Sequence, residues 1–204
     1  MPHGTESTTY INEICVVRTM YLPLALLRHH DQNIHYIEAS AQQYEEVRHA
    51  LLTHYAHAPH HLALCLTYTS PSLVLHQTYP RVAFIDGISQ AAAGSGFSNS
   101  GAVMLRHPLH TSDALFSVSE YVRQAPSPYV HVLVDGLHVL SWYMRDHALL
   151  SLVHSLADAL RRQGASASLL SQTGELSGEV SRHIAHFCDT SHVIEHEIRY
   201  PWSS

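Results

Sequence analysis

Residues 129–140 read YVHVLVDGLHVL, and this stretch decides the fold class. The segment from Val130 to Val134 is almost entirely apolar and ends in the dipeptide Asp135-Gly136. An apolar run of this length is typical of a strand that is buried on both faces of a parallel sheet. An acid at the C-terminal end of such a strand lies where open α/β sheets bind ligands. The stretch therefore predicts an α/β fold with a candidate site at Asp135.

The residues after this strand predict a helix and then a second strand. Apolar residues recur at helical spacing from Leu149 to Leu160. Arg161 and Arg162 suit the negative end of the helix dipole, and Gly164 is a typical stop signal. The segment SASLLSQ at 166–172 has the composition of a returning strand. Together these elements form a predicted βαβ unit.

Length and composition predict one domain. A chain of 204 residues with 46% hydrophobic content can bury one substantial core. We expect a flexible N-terminus at 1–11, a domain at 12–199 and a flexible, glycine-rich loop within it at 91–101. No run reaches the roughly 18 apolar residues of a membrane span, and the first residues lack the pattern of a signal peptide. With three widely spaced cysteines, this favours a cytoplasmic protein with reduced thiols.

The charged residues have an unusual composition. All eleven basic residues are arginine, so lysine-based catalysis and a phosphate-loop lysine are both excluded. The formal net charge of −6 argues against a dedicated nucleic-acid partner at neutral pH. The chain also has 20 histidines, and their charging near pH 6.5 would reverse the sign of the net charge. This excess is either a drift in composition or the basis of a pH-sensitive surface.

Earlier and later segments continue the alternation of strands and helices. We expect a first strand at Ile14–Val17, followed by a helix with Pro23 in its first turn. Predicted strands follow in NIHYIEAS at 33–40 and in RVAFIDGIS at 81–89, which contains a second Asp-Gly step, Asp86-Gly87, and LALCLT at 62–67 is a strand or a buried segment. We also expect a helix that Ser40 caps, with a buried stripe from Tyr44 to Tyr55, a short helix or turn at 71–76, helices at 111–122 and 175–187, and a half-exposed edge strand at 192–199.

This order of elements resembles the RecA-like ATPases of the KaiC branch. HVLVDGL resembles their Walker B strand at Asp135, and LRRQGA resembles the turn that follows their next helix. The segment from Cys188 to Ile198 is similar to their last strand. The resemblance covers residues 12–199 and is most specific over 129–198. It implies a single RecA-like three-layer domain, with a mainly parallel sheet between helices, whose subunits pack side by side.

The chain departs from this family at the phosphate loop. The family pattern G-x-x-x-x-G-K-[ST] is expected after the first strand, where this chain has VVRTMYLPLALL. The segment has no glycine and no lysine, so Arg18 and Thr19 are only weak candidates for phosphate or cofactor contacts. The family's catalytic glutamate follows the second strand, and Glu38 lies near that place. Loss of the Walker A motif predicts no cofactor, with magnesium or a nucleotide as the alternative.

Two acids give a second hypothesis. Asp86 and Asp135 both end buried strands, and if those strands are neighbours the carboxylates can hold a divalent metal. The alternative is that both acids stabilise the turns of the fold. The crowded histidines from His54 to His61 are interrupted by Pro59, which argues against a helical metal site.

Four further residues on or near the central strand have predicted structural roles. We expect His131 and His138 to be structural residues with satisfied hydrogen bonds. Trp142 and Tyr143 are predicted to lie in the core, with a subunit contact as the alternative. There is no G-x-S-x-G elbow after a strand, so a serine hydrolase is not supported.

The leading functional hypothesis is a non-catalytic interaction or regulatory subunit. Such a pseudo-ATPase would act as a homo-oligomer or beside an active RecA-like paralogue, without membrane association. The alternative is a metal-dependent phosphotransferase or hydrolase that uses Asp86 and Asp135, with Glu38 as the base. A third hypothesis is a pH-responsive binding module driven by the histidines.

Overall fold

The computed structural model describes residues 14–17, 20–23, 33–58, 60–89, 103–105 and 110–194. Within these residues the strands are β1 Ile14–Val17, β2 Met20–Pro23, β3 Ile34–Ala39, β4 Leu62–Thr67, β5 Val82–Asp86, β6 Val103–Met104, β7 Val130–Asp135, β8 Ser166–Gln172 and β9 Thr190–Ile194. The helices are α1 Tyr44–His57, α2 Ser72–Thr78, α3 Thr111–Gln124, α4 Leu137–Ser141, α5 Asp146–Gln163 and α6 Gly178–Phe187. The predicted segments 1–11 and 91–101 lie outside the described residues.

The main sheet has seven strands in the order β6-β5-β4-β7-β8-β3-β9, and every pair in it is parallel. All six residues of β7 are buried, as the apolar run of the sequence predicted. Strand β9 lies at one edge and alternates between partly buried and exposed residues, which is the expected pattern of an edge strand. The predicted parallel α/β sheet is therefore confirmed.

Helices cover both faces of this sheet and give the three predicted layers. Helices α1 and α2 pack against one face through a cluster that includes Leu51, Leu75 and Phe84. Helices α3, α5 and α6 cover the other face, where Val118, Leu156 and Ile184 are buried. A sheet buried on both faces explains why its central strands are apolar without alternation.

The buried stripe of helix α5 matches its prediction, although the helix begins at Asp146 and not at Trp142. Its five predicted core residues are all buried, namely Leu149, Leu152, Val153, Leu156 and Leu160. Each such side chain contributes about 1.5 to 3 kcal/mol when fully removed from water. Gly164 ends the helix in the left-handed conformation, with φ of 71°, which a residue without Cβ adopts at little cost. None of the described helices is long and apolar enough to cross a membrane.

The prediction that a helix with Pro23 in its first turn follows Ile14–Val17 is wrong for residues 20–23, and its continuation at 24–30 lies outside the described residues. Met20–Pro23 is strand β2, which pairs antiparallel with β1 in a separate two-stranded sheet. Pro23 occupies the last position of that strand, where its missing N–H costs little. A proline that also suits a first helical turn therefore did not distinguish the two structures. The first strand of the main sheet is consequently β3.

Candidate functional site

A cleft of about 710 Å³ lies beside the carboxyl ends of the parallel strands. Its walls come from the start of α1, from the segments that follow β4, β5 and β7, and from Gln172 at the end of β8. Open α/β sheets bind ligands at this edge because loops there connect strands to helices on opposite faces. The cleft is therefore the place where a functional site is expected.

Asp135 ends β7 beside this cleft and is completely buried. Its Oδ1 accepts a hydrogen bond of 2.6 Å from the Tyr44 hydroxyl at the start of α1. Its Oδ2 accepts hydrogen bonds from the hydroxyls of Thr67 and Thr69, which lie at the end of β4 and just after it. Both carboxylate oxygens are therefore engaged by donors from the protein itself.

Arg48 places a positive charge next to this carboxylate. Its Nη1 lies 3.5 Å from Oδ2 of Asp135 and donates hydrogen bonds of 2.8 Å to the hydroxyls of Thr69 and Ser70. Its Nη2 pairs with Glu45, one turn earlier on the same helix. The guanidinium side chain is only 11% exposed, so its charge is held inside this network. The buried negative charge of Asp135 thus has a compensating cation.

The hydroxyl of Tyr44 remains protonated in this arrangement. Burial raises the pKa of Tyr44 well above its usual value, and the nearby Asp135 carboxylate raises it further. A neutral phenol is a donor, so it serves as a permanent hydrogen-bond partner for the acid. Tyr44 therefore stabilises the charged form of Asp135.

Asp86, the other strand-ending acid, stabilises the turn that follows β5. Its Oδ1 accepts from the backbone N–H groups of Ile88 and Ser89, and its Oδ2 from Ser72 N and the Ser89 hydroxyl. Burial alone would raise the pKa of Asp86, but the hydrogen bonds from Ser89, Ser72 and Ile88 outweigh it and lower the pKa. This geometry matches the turn-stabilising alternative for Asp86.

The two acids do not lie on neighbouring strands. Strand β4 runs between β5 and β7, and Thr67 is the register partner of both Asp86 and Asp135. Two strand spacings separate the backbones of the acids by about 9.5 Å. The shared metal site depended on neighbouring strands, so the strand order removes its premise. Among the described residues, no group of three His, Cys, Asp or Glu side chains is arranged to hold a metal ion.

Tyr68 lies close to the glycine of both Asp-Gly steps, and this explains why glycine follows the acid in each of them. A Cβ on Gly87 would lie 2.4 Å from the ring of Tyr68. Gly136 has φ of +101°, and a Cβ there would lie 2.7 Å from Thr69 Cγ2 and 3.3 Å from Tyr68 Cβ. Glycine is required on both sides because the chain leaving β4 passes between the two turns.

His138 forms part of the cleft wall and is a satisfied structural residue, as predicted. Its Nδ1 accepts a hydrogen bond of 3.2 Å from Gln172 N, and its ring meets Tyr44 edge to face at 5.0 Å. Burial lowers the pKa of His138, although the charges of Asp135 and Glu175 oppose this shift. The ring is therefore neutral at pH 7, with its proton on Nε2.

His131 is also satisfied, as the sequence predicted. Its ring nitrogens contact the hydroxyls of Ser166 and Ser168 at 2.9 and 3.1 Å. Its ring stacks on Tyr55, with the two centroids 3.5 Å apart. These contacts fix β7 against β8 and α1 rather than presenting the imidazole to a ligand.

Trp142 and Tyr143 are exposed, which corrects the prediction that they belong to the core. Their relative exposures are 60% and 64%, and both side chains line the cleft. They lie in the turn between α4 and α5 and not on the buried stripe of α5. The sequence predicted one long helix that begins at these two residues. The structure instead has two helices with a short turn between them.

The remaining predicted site residues fall in different places. Glu38 lies within β3, the first strand of the main sheet, where it is half-buried opposite Ser171 of β8. It therefore does not follow the second strand, as the catalytic hypothesis required. Arg18 and Thr19 lie outside the described residues. The loop between β3 and α1 is residues 40–43.

Sequence reasoning missed the partners of Asp135. Tyr44 was predicted only as a buried residue of its helix, and Arg48 and Thr69 were not considered. Thr67 and Thr69 reach Asp135 because strand β4 lies beside β7, where Thr67 and Asp135 are register partners. The available signal was the polar cluster TYTS at 67–70, which begins with the last residue of the segment LALCLT, at the edge where Asp135 was expected.

Comparison with known structures identifies the fold. A KaiC-like protein of the hyperthermophilic archaeon Pyrococcus horikoshii OT3 matches 80% of this chain and 71% of its own, with a TM-score of 0.57 and 9% identity. A second protein of the same organism matches over 84% and 85% of the two chains, with a TM-score of 0.58 and 13% identity. No protein-family model and no curated protein sequence matches the chain. The chain therefore has a KaiC-like, RecA-like fold.

Proposed function

We propose that this protein is a non-catalytic RecA/KaiC-like subunit that acts through interaction or regulation. The observation that carries the proposal is the engagement of both carboxylate oxygens of Asp135, the residue that resembles the Walker B acid. Oδ2 accepts from Thr67, Thr69 and Arg48, and Oδ1 accepts from Tyr44. A carboxylate has about four acceptor positions, about two on each oxygen. A magnesium-bound water would therefore have to approach Oδ1 beside the Tyr44 hydroxyl or displace a donor from Oδ2.

The loop that precedes α1 also favours a subunit without ATPase activity. Residues 40–43 read SAQQ and connect β3 to α1 directly. A phosphate cradle needs glycines so that several backbone N–H groups can turn toward one anion. It also needs a lysine, and this chain has none. The nearest basic residue on α1, Arg48, is already paired with Glu45 and Asp135.

The partner is proposed to be a second copy of this chain or an active RecA-like paralogue. The likeness to a KaiC-like protein supports this choice, because the resemblance implies subunits that pack side by side. The metal-dependent phosphotransferase remains the less favoured function. Its two acids are separated by β4. Asp86 is already hydrogen-bonded within the turn that follows it, and Asp135 is hydrogen-bonded by residues of α1 and of the end of β4.

Nucleotide hydrolysis and binding provide the first test. We expect no phosphate release above the blank when the protein is incubated with ATP and magnesium or manganese. We also expect no saturable rise in melting temperature with magnesium-ATP, because only a ligand that binds the native state produces one. Hydrolysis that is lost in Asp135→Asn but retained in the surface control Asp158→Asn would overturn the proposal.

Assembly is tested separately. Light scattering coupled to gel filtration, performed over a hundredfold range of concentration, measures self-association. Affinity capture from the native host, with the intact protein as bait, then measures binding to a RecA-like paralogue. We expect either a defined homo-oligomer or recovery of such a paralogue. A monomer at all concentrations that captures no RecA-like protein would argue against a subunit role.

A further inference from the structure

We propose that the cleft at the carboxyl edge of the sheet binds an uncharged, planar aromatic molecule. The proposal concerns a small ligand and does not depend on the assembly described above. It rests on the composition of the cleft walls and on their charge.

Aromatic side chains dominate the walls of the cleft. Tyr44, Tyr68, His138, Trp142 and Tyr143 all line it. Three of these rings are already arranged in sequence, because His138 contacts Tyr44 at 5.0 Å and Trp142 at 5.8 Å, both nearly edge to face. Trp142 and Tyr143 are more than half exposed, so their faces remain available for a further ring. Flat aromatic ligands stack on such side chains.

The charge of the cleft excludes an anionic ligand. Among the described residues that line it, the only charged side chain is Glu45. Glu45 is paired with Arg48, which is itself directed to Asp135, Thr69 and Ser70. A phosphate or carboxylate entering the cleft would find an acid there and no unpaired base. A neutral ring system avoids this cost, since it gains apolar contact without requiring a counter-charge.

Polar side chains also lie in the wall of the cleft. The Tyr68 hydroxyl has no hydrogen-bond partner among the described residues, but it is buried, so a ligand reaches it only if that side chain moves. His138 Nδ1 already accepts from Gln172 N. The wall therefore does not select between a heteroaromatic ring and a plain hydrocarbon. The volume of about 710 Å³ lies within the range of typical small-molecule sites.

The test compares matched pairs of neutral and anionic ring compounds. Adenosine is paired with adenosine monophosphate, and nicotinamide with nicotinate. The chain has two tryptophans, so Trp202→Phe leaves Trp142 as the single fluorescent reporter. We expect at least one neutral compound to quench Trp142 fluorescence saturably, with a Kd of about 1 mM or lower, as for a weak ligand. Its anionic match should bind at least about tenfold more weakly, which corresponds to about 1.4 kcal/mol.

The location of binding is tested with ligand-detected NMR, which does not need tryptophan fluorescence. Trp142→Ala should weaken binding about tenfold or more, which corresponds to loss of one stacking contact. Phe116→Ala is the matched control, because Phe116 is an exposed aromatic residue of α3 that does not line the cleft. Equal binding by the two variants overturns the proposal. So does failure of both neutral compounds, or tighter binding of their anionic matches.

These outcomes are distinct from those that test the non-catalytic role. Neutral-ring binding concerns only the cleft, whereas the absence of hydrolysis concerns the phosphate loop and Asp135. A protein that hydrolyses ATP and also binds adenosine at Trp142 would contradict the proposed function and retain the ligand site. A protein that binds no ring and hydrolyses no nucleotide would contradict only the ligand site.

Discussion

The hydroxyl of Tyr44 donates a hydrogen bond of 2.6 Å to Oδ1 of Asp135, across 91 residues of chain. This bond connects the first residue of α1 to the last residue of β7. It also occupies the acid whose sequence context resembles a Walker B strand. The packing of one helix terminus and the proposed loss of ATPase chemistry therefore depend on the same pair of atoms.

Removal of this hydroxyl has a predictable cost. Tyr44→Phe leaves one oxygen of a buried carboxylate without its phenolic donor, so we expect the free energy of unfolding to fall by about 1 to 3 kcal/mol. Urea denaturation measures the change. Tyr143→Phe is the control, because Tyr143 is exposed and should change stability by less than about 0.5 kcal/mol. Equal stability of the two variants would refute the importance of the bond.

Arg48 and Asp135 are expected to be energetically coupled. Arg48→Met and Asp135→Asn should each destabilise the protein, and the double variant should cost less than the sum of the two. A double-mutant cycle by urea denaturation should give a coupling energy of about 0.5 to 3 kcal/mol, as for residues in one network. Arg162 and Asp158 form an exposed pair on α5 and provide the control cycle. Their coupling should not exceed about 0.5 kcal/mol.

Gly136, in the turn after β7, is required both for its backbone conformation and for lack of space, whereas Gly174, in the turn after β8, is required for its backbone conformation alone. Gly136→Ala combines a left-handed φ with a close contact to Thr69 Cγ2. Gly174→Ala has a similar φ of +82°, but no atom lies within 4 Å of its new Cβ. We expect the first substitution to lower the melting temperature clearly more than the second. Similar values would show that Thr69 moves aside without cost.

Acid is expected to destabilise the fold through His138. Its pKa is lowered in the folded state because the ring is buried, so the unfolded chain binds the proton more tightly. The neutral ring is compatible with folding above the unfolded pKa of about 6.5, and stability falls as the pH decreases from there toward the folded pKa. Unfolding free energies measured between pH 7.5 and 5 should therefore decrease.

A matched pair of variants isolates this contribution. His138→Gln should show a shallower loss of stability on acidification than the wild-type chain. His147→Gln, at an exposed position of α5, should follow the wild-type curve. Parallel curves for all three proteins would assign the acid sensitivity to other groups. One such group is His192, because burial lowers its pKa as well.

Local patterns predicted the elements that one stretch of sequence can define. The apolar run before Asp135, the stripe of α5 and the stop at Gly164 each result from neighbouring residues, and all were confirmed. Met20–Pro23 was misassigned because its composition suits a helix start as well as a short strand. Here the antiparallel pairing with Ile14–Val17 overrides the local preference.

The candidate site was predicted less completely because it depends on strand order. Asp135 was found, but the insertion of β4 between β5 and β7 is a long-range property that no local pattern encodes. That insertion separates Asp86 from Asp135 and brings Thr67 and Thr69 to the acid. Exposure of Trp142 and Tyr143 was also missed, since it depends on a turn of a few residues between two helices.

The position of β3 in the sheet has a consequence for synthesis on the ribosome. Among the described residues, this strand pairs with β8 and β9 and with no earlier strand, so its backbone groups find no sheet partner there until about 130 more residues have been made. At about 5 to 20 residues per second, the delay is roughly 6 to 25 s. During that interval β4, β5 and β7 can already pair with one another. The nascent chain thus exposes an apolar segment, IHYI at residues 34–37, that chaperones or aggregation partners can bind first.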